Sequence, residues 1–176
     1  MAVFVVDTNF FIDAYRRTYP PDVVPGFWPK VQSLAEEGKI LSIDKVLAEL
    51  ERFEGGGPRD EMENEPLEHW CRRLPESFFR ETESMLETTY KKVVHWAADR
   101  TPKYRTVALR NFFAADNADA FLIAYALTEP ESYIVTTLEV PAPHAVKKIK
   151  IPDVCAGLGI RWCDTISMFR SLGETF

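Results

Sequence analysis

Four short apolar runs, each separated from the next by stretches with helical spacing, constrain this chain more than any other feature. They are VFVV (3–6), KILSI (39–43), YIVTT (133–137) and IRWC (160–163). Apolar runs this short and continuous read as strands buried on both faces, the pattern of a parallel sheet. Between them lie helical segments. One begins near Ile12. A second, 27–38, spaces Phe27, Val31 and Leu34 on one face and has Gly38 as its C-cap. Asp44 caps a helix over 44–54, residues 67–113 read as two or three helices broken near Pro75 and Thr101-Pro102, and a helix spans 117–127. A short helix from Pro152 is stopped by Gly157 or Gly159, and Asp164 caps a last helix ending near Gly173. Strands alternating with helices imply an α/β fold: a three-layer α/β/α sandwich around a parallel sheet of about four strands.

At 176 residues the chain suits one domain, 1–176. YPPDVVPG (19–26) is a Pro-rich loop, GGGPRDEMENEP (55–66) a flexible acidic loop inside the domain, and 139–152 an irregular connection. No apolar run approaches the ~20 residues of a membrane span, and the N-terminus lacks the positive start and longer apolar stretch of a signal peptide. A cytoplasmic protein without membrane contact is the expectation. Cys71, Cys155 and Cys163 show no paired spacing and suit a reducing compartment; Cys155, Cys163 and His144 match no common zinc pattern. The net charge of −6 argues against a general nucleic-acid-binding surface. Basic groups cluster locally, at Arg16 and Arg17, at Lys103, Arg105 and Arg110, and at Lys147, Lys148 and Lys150, and each cluster reads as a solvated face.

Open α/β sheets bind ligands at the carboxyl ends of their strands, which turns the acids into a geometric proposal. Asp7 directly follows the first strand, Glu49 lies on the helix after the second, Asp119 starts the helix before the third, and Glu139 and Asp164 lie just past the third and fourth. Asp7 alternatively caps the next helix, and Asp116 and Asp119 have capping-box-like spacing. On helix 44–54 the apolar stripe is Val46, Leu47, Leu50 and Phe53; Glu49 and Glu51 both sit at its edge, so periodicity cannot choose between them.

VVDTNFFIDAY, ILSIDKVLAELER, NADAFLIAYAL and YIVTT, in that order, resemble the PIN domain, best known from VapC-like toxin ribonucleases of toxin–antitoxin pairs. KIKIPDVCAGLGIRWCDTISMFRSLG resembles the tail of a PIN-like subfamily with a longer helical middle, here about 67–113. The resemblance covers residues 1–54 and 114–173. It implies a PIN-like sandwich and a metal-dependent ribonuclease. Asp7 corresponds to the metal-binding aspartate of the strand-ending Asp-Thr-Asn, with Thr8 and Asn9 as polar supports. Glu49 corresponds to the glutamate of the family's Glu-Leu helix, and Asp119 to the aspartate opening a helix in which Ile123, Ala124 and Ala126 fall in place. Asp116 stands as a further support. The family's fourth acid follows the third strand; here position 138 is leucine, and Glu139 comes one residue late. Mg²⁺ or Mn²⁺ is the implied cofactor. RNA, single-stranded or structured, an antitoxin protein and a second copy of the chain are the implied partners.

A carboxylate cluster is a hard oxygen site suited to those cations. His69, His95 and His144 are not placed for a histidine-based mechanism. Tyr15, Tyr19 and Trp28 are aromatic enough to stack a base but equally suited to a core. Two competing readings are a PIN-like module that binds RNA or protein without cleaving, and a phosphoaspartate enzyme using Asp7. The latter lacks a second aspartate nearby and a lysine directly after YIVTT.

Overall fold

The computed structural model describes residues 2–52, 67–85 and 88–175. Phe53, Glu54 and the acidic stretch 55–66 lie outside the described residues. The rest forms an α/β/α sandwich around a five-stranded, all-parallel sheet in the order β3-β2-β1-β4-β5. The strands are β1 (Val3–Val6), β2 (Ile40–Ile43), β3 (Phe79–Arg80), β4 (Tyr133–Thr136) and β5 (Arg161–Cys163). Four of them are the apolar runs of the sequence. The fifth, β3, falls where helices alone were expected; two residues carry no period, and its place is set by pairing with Ser42 and Ile43 of β2.

Burial follows the sequence pattern. Val5, Val6, Ile40 and Ile43 are essentially inaccessible, as a central parallel strand covered by helices on both faces requires. Ser42 is the polar exception in β2, and its Oγ donates to the Val6 carbonyl at 2.7 Å, so its buried hydroxyl is paired. On one side, Phe10 of α1 (Thr8–Asp13), Phe27 of α2 (Phe27–Glu36) and Phe169 of α9 (Thr165–Leu172) pack ring to ring. The other side holds α5 (Thr89–Asp99), α7 (Asp119–Ala126) and α8 (Ile151–Leu158) in mutual contact. Helix α7 buries nearly its whole circumference, from Ala120 to Ala126. Helices α3 (Asp44–Arg52), α4 (Leu67–Cys71) and α6 (Thr106–Phe112) complete the layers. Gly159, at φ 71°, terminates α8. Gly157 has a different role: a Cβ there would lie 1.9 Å from Trp96 Nε1, so the bare backbone lets α8 meet the indole of α5.

The strand order fixes where a ligand can enter. From β1 the chain goes to β2 on one side and later returns to β4 on the other, so the connections diverge at the β1/β4 boundary. Beyond the carboxyl ends of such a pair the loops leave in opposite directions and open a crevice. Among the described residues no helix is long and apolar enough to cross a membrane.

Candidate metal centre

Asp7 is the first residue past β1, and the parallel register that pairs Val6 with Thr136 puts Thr137 beside it. Only 2% of Asp7 is accessible. One carboxylate oxygen caps α1 by accepting the Phe10 N–H at 2.8 Å, and the other accepts the Thr137 hydroxyl at 2.7 Å. Asp7 thus does cap a helix, and it does so facing the crevice. Burial is the main influence on its carboxyl; the bonds from Thr137 and Phe10 oppose it, the charges of Glu139 and Glu49 add to it, and the pKa is pushed up to about 6.

Glu49 ties two flanks of the site together. Thr8 Oγ1 donates to Glu49 Oε2, and the backbone N–H of Ala118 donates to Oε1 at 2.8 Å. One glutamate therefore holds the neighbours of both Asp7 and Asp119. Glu51 leaves on another face of α3 and pairs with Arg72 at 2.9 Å in solvent.

Asp119 opens α7. Its N–H goes to Asn117 Oδ1 at 2.8 Å, while its carboxylate accepts no hydrogen bond from the described residues. Burial, and after it the charges of Glu139, Asp7 and Glu49, push its pKa up to about 7, with the Lys148 ammonium acting the other way. Asp116 does not cap this helix, contrary to the expected capping box. Its side chain is 70% exposed and faces Arg52 at 3.7 Å, and the start of α7 is secured by Asn117 and Glu49 instead. The helix begins two residues later than expected, so its N-cap position falls on Ala118, which has no capping side chain.

Glu139 follows β4 by three residues. Its Oε1 accepts Lys148 Nζ at 2.7 Å and Lys150 Nζ at 3.0 Å, and its Oε2 accepts the Ile151 N–H at the start of α8 at 2.9 Å. Burial raises its pKa, but the bonds from Lys148, Ile151 and Lys150 together outweigh this and hold the carboxyl below the usual range. The lysines read as a solvated face are part of the rim. Asn9 is exposed and lines an open groove of about 490 Å³ that also runs past Asp13, Leu138, Glu139 and Lys150.

Asp7, Glu49, Asp119 and Glu139 thus meet at one rim, with Thr8 between the first two. Among the described residues, however, no three His, Cys, Asp or Glu side chains are disposed to share one ion. Asp7, Glu49 and Glu139 have both oxygens engaged by hydrogen-bond donors, those of Glu139 including two ammonium groups, and His144, Cys155 and Cys163 likewise form no cluster. Thr137 was missed by sequence reasoning, though a threonine directly after the strand beside β1 signals it. Trp28 and Tyr19 are not free to stack a base: Trp28 is 5% exposed with Nε1 donating to the Tyr19 carbonyl, Tyr19 stacks on Phe27 at 4.4 Å, and Tyr15 meets Trp28 edge-on. Asp164 caps α9 through the Ser167 N–H at 2.7 Å.

No curated protein and no solved structure matches the chain. One family model does, over residues 4–176, and by that match the chain belongs to the family described as "Domain of unknown function (DUF4411)".

Proposed function

We propose that this protein is a PIN-type ribonuclease that hydrolyses RNA phosphodiester bonds with Mg²⁺ or Mn²⁺, working in the cytoplasm. One observation carries the reading: the Asp119 carboxylate, which accepts no hydrogen bond from the described residues, stands near Asp7 and Glu49 at the crevice where the sheet's connections diverge. Carboxylates held partly protonated near neutral pH by burial and mutual repulsion are what a hard divalent cation relieves, and an all-oxygen donor set suits Mg²⁺ or Mn²⁺. The residues present therefore fit such an ion.

Asp7 and Asp119 are its ligands in this reading. Thr137 and the Phe10 N–H fix the Asp7 carboxylate, and Glu49 sets the spacing between the β1 end and the α7 start through Thr8 and Ala118. When bound, the cation supplies a water of lowered pKa and positive charge for the leaving oxygen. In this reading a single strand enters along the groove past Asn9 and Leu138, where Leu138 and Val140 are exposed, at 39% and 73%, as apolar surface for bases.

A second reading, a PIN-like module that binds RNA without cutting it, is favoured by one observation: Glu139 is neutralised by two lysines. A fluorescent single-stranded RNA separates the two. The nuclease reading expects shortened product with Mn²⁺ and none with EDTA. Retarded but intact RNA under both conditions would favour the binding module.

A further inference from the structure

The Lys148–Glu139–Lys150 group has no part in the nuclease reading proposed above. Glu139 holds three donors, two ammonium groups and the first N–H of α8, and its side chain is only 8% exposed. Its charge is already matched by the two ammonium groups, so a metal ligated here would have to displace them or stand against their repulsion. Lys148 is 64% exposed and reaches both ways, bonded to Glu139 and close enough to Asp119 for their charges to interact. A two-metal site sets its ions roughly 3.5–4 Å apart and needs carboxylates free to share them. Here Glu139 already faces two ammonium groups, which would repel a second cation placed beside it. Two ammonium groups against four ionised carboxylates also leave a charge that one divalent cation matches.

We infer that this site takes one divalent cation, held by Asp7 and Asp119, and that Lys148 and Lys150 stand in for a second, with Glu139 serving the lysines rather than the metal. The inference rests on the reading of Asp7 and Asp119 as cation ligands. Lys148 is then a largely exposed point charge at the mouth of the site, of the kind suited to a phosphate oxygen of the incoming strand.

The test counts Mn²⁺ bound to the full chain at pH 7.5 by calorimetric titration, with folding checked by circular dichroism. Wild type binds one ion. Glu139→Gln also binds one, weakened only a few-fold by loss of a nearby negative charge. In the Lys148→Met/Lys150→Met double variant Glu139 is released and a second ion binds. Two ions in wild type, a loss of about tenfold or more in Glu139→Gln, or no second ion in the double variant would overturn the inference and leave the nuclease reading standing. No ion bound by wild type would remove both.

Discussion

Replacing Asp7 by Asn should make the metal-free protein more stable, and the size of the effect follows from the site. The Asp7 carboxyl is raised from 3.8 to about 6. A carboxyl raised on folding is favourable below its unfolded pKa, and the advantage is lost as pH climbs through the folded value. Wild type therefore loses stability between about pH 4 and pH 6, and Asp119, at about 7, extends the window upward. About two units at ~1.4 kcal/mol each give about 3 kcal/mol for Asp7 by pH 8. Asn keeps the carbonyl that caps α1 but turns the Thr137 bond around, at a cost of about 1 kcal/mol. The net gain is on the order of 2 kcal/mol, or roughly 4–8 °C in Tm for a chain of this length. At pH 4 the gain disappears. Mn²⁺ reverses the order: at 100 times Kd it stabilises wild type by about 2.7 kcal/mol, and the variant by much less. Scanning calorimetry at pH 4 and pH 8, with EDTA or Mn²⁺, reads all four cases. A variant less stable than wild type at pH 8 in EDTA, or one with an undiminished Mn²⁺ shift, would refute the reasoning.

Three other substitutions probe the packing and the choice of acids. Gly157→Ala drives a methyl into Trp96 and should cost about 1–3 kcal/mol as overpacking, read as a Tm lower by several degrees. Glu49→Gln should abolish most RNA cleavage, whereas Glu51→Gln, which loses only an exposed pair with Arg72 worth about 0–1 kcal/mol, should leave cleavage unchanged and Tm nearly so; cleavage assays and melting curves on both variants check this.

The sheet was legible because its strands are apolar on both faces, and the places of Asp7 and Asp119 were legible because strand ends and helix starts carry position in their spacing, whereas Glu49 was chosen over Glu51 by the resemblance alone. Other features depend on contacts that no local pattern records. Strand β3 exists only through its pairing with Ser42 and Ile43. The start of α7 slipped from 117 to 119 because that helix is apolar all round and offers no stripe to mark its phase. Periodicity left Glu49 and Glu51 tied, and only the arrival of Thr8 and Ala118 from other elements separates their surroundings. Lys148 and Lys150 looked like solvated charge because the loop that folds them back onto Glu139 has no period at all.

Cleavage of a 5′-labelled single-stranded RNA by wild type and by Asp119→Asn, prepared side by side and assayed in Mn²⁺ at pH 8, bears most directly on the proposed nuclease. Asp119 is the acid at the rim whose carboxylate accepts no hydrogen bond from the described residues, so in this reading its loss removes a ligand while Asn117 and Glu49 still anchor the start of α7. Metal-dependent cleavage by wild type, reduced by a factor of about 100 or more in a variant with an unimpaired circular dichroism spectrum, is the expected result. Equal cleavage by the two proteins, or none by wild type on any RNA offered, would contradict it.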